Sequence, residues 1–556
     1  MSVSTARQAF FEVARSEGAR YLFSNPGTTE LPIFDELAEE DPGLELILCL
    51  HEAVAVGAAD GYAQATGRPS LVNLHILPGL ANGLCHMANA AWSRSPVVVT
   101  AGQQDTRHLV QEPMLAGDLV SMAKPFTKFA YECRRPDEVG IAMRRAFKVA
   151  ASPPQGPTFV SIPWDTMDES VEIEVPPPSP IDYGAAASSK AIARAADLLL
   201  NAQRPLIVAG DEVARAGAVE DLVALAEAVG ARVAGEPIHG RLVFPQDHPL
   251  WNGALFPNNP GVRAVLEQYD VVLIAGAIAF APLHPSPVGA VPPEVKLIHL
   301  DADAYQIARV YAVEEGLWGD VRASVQSLTA TVTKLATSEQ KNAITERVTR
   351  WSKERESALD AMATGLDALR GATPMKPLIA CKEIFDNLDP GTAIVDDAVT
   401  NTVGVRTMMR SSEPGTYFFT RGGGLGWGMP ASIGVKLADP DRPVVAIVGD
   451  GTALYAPQAL WTMAHHDVPV VTIVLNNRSY LILKAGLKAM AGKAAKFDRW
   501  PGMHIDNPPV DFPSLAKGFG IDAERIEDAN DVGKAVASAL AAKKPALIEV
   551  MVDGSL

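Results

Sequence analysis

The sequence predicts an α/β protein made of three Rossmann-like parallel-sheet domains, and three observations lead to that fold. Short β-branched or apolar runs alternate with stretches of helical periodicity along the whole chain. A length of 556 residues exceeds what one hydrophobic core supports and favours about three or four domains. In the last third of the chain, polar clusters close the apolar runs, as expected at the carboxyl edge of a parallel sheet.

The first domain is expected over residues 1–165, with strands in YLFSNPG, LILCLHE, SLVNLHI and PVVVTAG. MSVSTARQAFFEVARSEG has the amphipathic pattern of a first helix and lacks the build of a signal peptide. From Met167 to Ser189 the chain turns acidic and then proline-rich, which reads as a stiff surface linker. A second α/β domain follows over 190–335, carrying RPLIVAGD, DVVLIAGA and VKLIHLDAD but no G-x-G-x-x-G fingerprint, so no second cofactor is expected there. A charged helical stretch from Ser338 then leads to a third domain over 374–556.

Composition narrows the function classes. Hydrophobic residues make up 48% and charged residues 20%, as in ordinary globular proteins. The net charge of −17 would repel phosphate backbones and anionic headgroups, so neither nucleic acid nor a membrane is an expected partner. Cys49, Cys85, Cys133 and Cys381 match no metal-ligand spacing and are expected as reduced core residues, which fits a cytoplasmic protein. The longest apolar stretch, 271–283, falls short of the roughly 20 residues that span a bilayer.

Two constellations carry chemistry. RPVVAIVGDGTALYAPQALWTMAHHDVPVVTIVLNNRSY reads as strand, Gly-Asp-Gly turn, helix and strand, ending at Asn476 and Asn477. The Asp450 carboxylate, the Asn477 amide oxygen and a backbone carbonyl just beyond, at Ser479, form a hard-oxygen set suited to magnesium that also binds phosphates. Gly449 and Gly451 let the backbone approach a diphosphate. Near the N-terminus, FSNPGTTELP precedes LILCLHEAVAVGAADGYAQATGRP, which puts Glu52 at a strand end and a helix start. Taken singly, the first motif reads as a plain turn and Glu52 as a charge partner of a helix N-terminus.

Together these motifs, with NLH, SPVVVTAGQQ, SPPQGP, the GGLG-x-x-x-PA-x-IG text and LAKGFG, resemble the thiamine diphosphate decarboxylase and synthase superfamily over essentially the whole chain. The likeness is greatest to the benzoylformate decarboxylases. It implies pyrimidine-binding, central and diphosphate-binding domains in that order, with thiamine diphosphate and Mg2+ as cofactors. By the same resemblance Glu52 is the activating acid at the pyrimidine ring, His75 and His284 serve proton steps, and Thr28 stands where a substrate-binding serine is found. Asn25, Gly27, Thr400, Gly423, Leu425 and Thr452 are then cofactor contacts beside the glycines and ligands already named. His51, His465 and His466 fit no such role and are expected to be structural.

The implied reaction is non-oxidative decarboxylation of an aromatic-type 2-oxo acid to an aldehyde and carbon dioxide. The implied assembly is at least a homodimer, commonly a homotetramer. Three departures pull elsewhere: Arg478 replaces a glycine, with Ile482 and Leu483 adding bulk beside it; HILPGLANGLCH is nearer to acetolactate-synthase-like text; and the segment AGLKAMAGKAAKFDRWPGMHIDNPP is long enough to form a different lid. The alternative is therefore a carboligase or lyase acting on 2-oxo acids or 2-hydroxy ketones.

Overall fold

The computed structural model describes residues 2–38, 43–175, 177–280 and 283–556. The chain forms two compact units. The first comprises Met1–Pro180, Gly371–Met408 and Phe418–Leu556, and the second Ile181–Arg370 and Met409–Tyr417.

In the N-terminal part the strands are β1 (Ser2–Thr5), β2 (Tyr21–Ser24), β3 (Glu45–Leu48), β4 (Ser70–Leu74), β5 (Val97–Gln103), β6 (Phe129–Glu132), β7 (Thr158–Pro163) and β8 (Ser170–Glu174). Six of them form a parallel sheet in the order β3-β2-β4-β5-β7-β6. The remaining two correct the sequence reading at both ends of this region. Residues 2–5 precede the first helix, which starts at Ala6 with Thr5 as its N-cap, and they pair antiparallel with β8 inside the segment read as a linker. Alternation in Ser-Val-Glu-Ile-Glu accounts for β8: Ile173 is buried while its neighbours face outward, a strand pattern that the following prolines mask.

The second unit holds β9 (Pro205–Ala209), β10 (Arg232–Gly235), β11 (Trp251–Ala254), β12 (Val271–Ala275), β13 (Lys296–Asp301) and β14 (Glu315–Trp318), ordered β11-β10-β9-β12-β13-β14. At its order reversal, between β9 and β12, the Glu236 carboxylate accepts from Asp211 N at 3.2 Å and Ile278 N at 3.0 Å. An internal anion therefore takes the amides that a switch-point phosphate would use. The charged stretch from Ser338 is a 32-residue helix with a capping box at Thr337 and Gln340.

The C-terminal strands are β15 (Ala393–Asp397), β16 (Tyr417–Phe419), β17 (Val444–Gly449), β18 (Val470–Asn476), β19 (Asp522–Ile526) and β20 (Ala546–Met551), ordered β16-β15-β17-β18-β20-β19. β18 is buried along its whole length, as expected of a parallel strand covered on both faces. In the first unit the helix Glu52–Thr66 packs against the helix Gly428–Ala438. A Cβ on Gly61 would lie 2.7 Å from the carbonyl carbon of Ala431, and one on Gly434 would fall on the Ala58 carbonyl, so the contact requires glycine. Trp427 Nε1 donates to the buried Asp60 carboxylate at 2.7 Å beside it.

Gly61→Ala tests this contact. Helix propensity alone favours alanine by about 1 kcal/mol, yet overpacking should reverse the sign and destabilise the chain by roughly 1–3 kcal/mol. A denaturation midpoint equal to or above that of the parent chain would refute the close-packing account.

Candidate active site

Two clusters stand at the carboxyl edges of the N- and C-terminal sheets, each beside the point where strand order reverses. In the N-terminal sheet this point lies between β2 and β4. Asn25 and Gly27 follow β2, and His75 follows β4 as the residue before the helix Ile76–Trp92. Glu52 opens its helix shortly after β3, capped by His51, whose Nδ1 accepts from Ala53 N at 3.1 Å. The Glu52 side chain is buried, and both its oxygens accept amide hydrogens, Oε1 from Asn25 at 3.1 Å and Oε2 from Asn82 at 3.0 Å.

His75 is held from the opposite side. Its Nδ1 lies 2.8 Å from Oε2 of the fully buried Glu30 and 3.3 Å from the Thr29 hydroxyl. The hydrogen bond to Glu30 raises its affinity for a proton above the ordinary histidine value, against an opposing effect of burial. Gly27 has an ordinary extended backbone, with φ −144°, so space and not conformation demands glycine there: a Cβ would fall on the His75 ring. Thr28 is exposed on the turn that leads to Thr29 and Glu30.

In the C-terminal sheet the reversal lies between β15 and β17. A cleft of about 210 Å³ opens there, lined among the described residues by Thr400, Leu425, Gly449–Thr452, Asn477 and Ser479–Leu483 with their neighbours. Asp450 begins the turn after β17, and Asn477 follows β18. Asp450 Oδ2 and Asn477 Oδ1 converge on one donor, Ser479 N, at 3.2 and 2.9 Å. Burial pushes the Asp450 carboxyl up to about 6, so it sits where a counter-charge is wanted. A Cβ on Gly451 would lie 2.7 Å from the Tyr480 ring, leaving bare backbone in the cleft wall.

This donor set fits a diphosphate and a hard cation. Backbone amides and glycine line one side, two oxygens converge on the other, and phosphate oxygens must complete the shell. Among the described residues no cluster of three or more His, Cys, Asp or Glu could hold a metal by itself.

The loop carrying Leu425 is pinned twice. Asn89, on the helix Ile76–Trp92, donates to Gly424 O and accepts from Gly424 N, both at 2.9 Å. Asp397 Oδ2 accepts from Gly426 N at 3.1 Å and Gly428 N at 3.0 Å. Gly423 is exposed at φ +73° within this loop.

Glu30, Asn82 and Asp397 escaped the sequence reading. Glu30 ends the short turn Thr28–Glu30, Asn82 is an exposed helix residue thirty positions from Glu52, and Asp397 is the last residue of β15. Of the other histidines, His466 Nε2 accepts from Leu48 N at 2.9 Å and His465 stacks on Trp461. His284 belongs to the second unit, on an exposed turn. Cys49, Cys133 and Cys381 are buried free thiols, but Cys85 is exposed, which corrects its expected core position; it faces outward on a helix whose opposite side carries His86, Met87 and Ala90. No helix among the described residues is long and apolar enough to cross a membrane.

Three parallel α/β sheets with a phosphate-type cleft and a clamped glutamate define a cofactor-dependent enzyme. Comparison with known proteins agrees: residues 4–122, 192–328 and 397–550 match the N-terminal TPP binding, central and C-terminal TPP binding domains of thiamine pyrophosphate enzymes. The chain is 34% identical to a benzoylformate decarboxylase of Pseudomonas aeruginosa over 99% of each chain. It is 27% identical to an acetolactate synthase large subunit of Parasynechococcus marenigrum, over 98% of this chain and 87% of that one. Among solved structures, the thiamine diphosphate-dependent 4-hydroxybenzoylformate decarboxylase of Rhodococcus jostii RHA1 superposes with a TM-score of 0.86 at 29% identity over 99% of both chains. The chain belongs to the thiamine pyrophosphate enzyme family and is a thiamine diphosphate-dependent enzyme.

Asp397 offers a pH test of the pinned loop. Burial, the largest influence, pushes its carboxyl up to about 8. A carboxyl raised in the folded state costs stability as pH climbs from its unfolded value through the folded one. Asp397→Asn should therefore remove a decline in melting temperature between about pH 4 and pH 8; an unaltered pH profile would contradict the assignment.

Proposed function

We propose that the enzyme catalyses non-oxidative decarboxylation of a 2-oxo acid with an aromatic acyl group, releasing an aldehyde and carbon dioxide. The observation carrying this reading is the imidazole of His75, hydrogen-bonded to a buried carboxylate at the sheet edge that also bears Glu52. Replacing a carboxylate by hydrogen requires a proton at the former carbonyl carbon, and an imidazole whose proton affinity a buried carboxylate raises is a suitable donor. Thiamine diphosphate, when bound, supplies the electron sink for carbon–carbon cleavage.

The chain's own groups divide the remaining work. Glu52, held between Asn25 and Asn82, presents its carboxyl to the pyrimidine ring nitrogen and exchanges a proton there. Leu425 and Gly423 orient the rings; Thr400, Gly449, Gly451 and Thr452 receive the diphosphate; Asp450, Asn477 and the Ser479 carbonyl hold Mg2+. Thr28 and His284 are assigned to the substrate.

A second reading is carboligation of short 2-oxo acids. Ile482 and Leu483 line the cleft and favour a smaller acyl group than benzoyl, and the acetolactate synthase likeness runs along the same length. Rates with benzoylformate and pyruvate decide between the two. Benzaldehyde and carbon dioxide should form from benzoylformate faster than acetolactate forms from pyruvate; the reverse order would overturn the primary reading.

The cleft is lined, among the described residues, by C-terminal positions, and neither Glu52 nor His75 is one of them. We assign the missing half to a second copy of the chain, in a homodimer or a homotetramer built from such dimers. Glu52→Gln and Asp450→Ala chains should each lose about 100-fold or more in turnover, and co-expressed together they should regain activity, because one site of the mixed dimer is then intact. Mixed oligomers that stay inactive would refute the shared site.

A further inference from the structure

We propose that Glu30 is a positioning residue that keeps the His75 proton on Nδ1, so that Nε2 is the nitrogen offered to the substrate. The inference deepens the decarboxylase reading, since it rests on His75 acting in the proton step. It stands, however, on the geometry of the carboxylate itself.

Glu30 is buried, with its side chain fully shielded from solvent, yet it makes four hydrogen bonds. Oε1 accepts from Ile76 N at 3.1 Å, Gly102 N at 2.9 Å and the Thr29 hydroxyl at 2.6 Å. The two backbone amides can only donate, so a proton on Oε1 would have nowhere to go. Three donors on one oxygen leave it an acceptor only. Oε2 is left to His75, and an anionic oxygen 2.8 Å from Nδ1 requires the hydrogen to lie on that nitrogen. In the neutral ring Nε2 is then the base, and in the charged ring it is the donor.

The surroundings show that this arrangement is imposed and not incidental. Ile76, adjacent to His75, adopts φ +37°, a left-handed conformation that a β-branched residue rarely takes. Its amide is the one that Glu30 accepts, so the carboxylate holds the strained step that delivers His75 to the sheet edge. Gly102 is restricted for the same reason, because a Cβ there would fall on the Glu30 carboxylate and lie 2.7 Å from the Thr29 hydroxyl. Space at Gly102, strain at Ile76 and four hydrogen bonds thus converge on Glu30, while space at Gly27 is set by the His75 ring that it holds. The charged groups acting on the ring are Glu30 foremost and Glu52 behind it, both favouring the imidazolium.

The test begins with the unaltered apo-protein, labelled with 15N histidine, the His75 signal being assigned by its loss in His75→Gln. Above its titration the neutral ring should show the Nδ1–H tautomer. In Glu30→Gln the side-chain amide can face Nδ1 as a donor, so the ring should switch to Nε2–H and its proton affinity should fall about tenfold. In turnover the same variant should lose roughly 10- to 100-fold in kcat, with KM and cofactor affinity held within about twofold. Its activity should also disappear at lower pH on the basic side, because the donor form is lost earlier. An Nε2–H tautomer in the parent protein, or an unchanged His75 titration in Glu30→Gln, would overturn the proposal. Should Glu30→Gln fail to fold, the parent tautomer alone decides. If the tautomer and titration behave as expected while benzoylformate is not decarboxylated, the reaction assignment fails and the role of Glu30 stands.

Discussion

The arrangement of the first unit depends on one contact, the close crossing of the helices Glu52–Thr66 and Gly428–Ala438. Two helices approach within backbone distance only where side chains vanish, and Gly57, Gly61 and Gly434 supply that gap against Pro430, Ala431 and Ala58. Apolar burial holds the pair together, and the buried Asp60 carboxylate accepts from Trp427 on one oxygen and Gln64 on the other. The consequence is positional. One helix begins with Glu52, and the other begins immediately after the loop bearing Leu425, so fixing the crossing fixes where both residues start.

Sheet topology then decides where chemistry can occur. Each sheet has a reversal of strand order, at β2/β4, β9/β12 and β15/β17, and the crevice created there is the natural ligand position. The three sheets use it differently. The N-terminal crevice holds Asn25, Gly27 and His75, the C-terminal one opens as the cleft at Asp450, and the central one is closed by Glu236 on the amides of Asp211 and Ile278. One topology thus gives polar crevices in the two TPP-binding domains and, in the central domain, a crevice whose edge amides a carboxylate takes.

Much of this was legible in the sequence, for a definite reason. Asp450 and Asn477 follow buried strands whose apolar runs are unbroken, so their place at a sheet edge follows from periodicity, and Glu52 follows the shorter, partly buried edge strand Glu45–Leu48. The residues that periodicity missed depend on contacts between segments distant in sequence. Glu30 acquires its meaning from Gly102, seventy-two positions away, and Gly424 is fixed by Asn89 across 335 positions. Neither pairing leaves a local trace. The strand Ser170–Glu174 was hidden by the prolines that follow it, and Cys85 sits among apolar neighbours in sequence while pointing away from them in space. Arg478 is a further case. Standing where the family resemblance leads one to expect glycine, it takes φ +55°, the left-handed conformation that glycine favours.

Two glutamates at one sheet edge show how partners, and not residue type, assign roles. Glu30 Oε1 accepts from two backbone amides and the Thr29 hydroxyl, which fix the carboxylate in place, while Oε2 faces His75 Nδ1. Glu52 meets two side-chain amides, one on each oxygen, which orient it while leaving lone pairs directed away from them. The N-terminal crevice thus holds two carboxylates in different surroundings, Glu30 fixed by backbone amides behind His75 and Glu52 held by two side-chain amides.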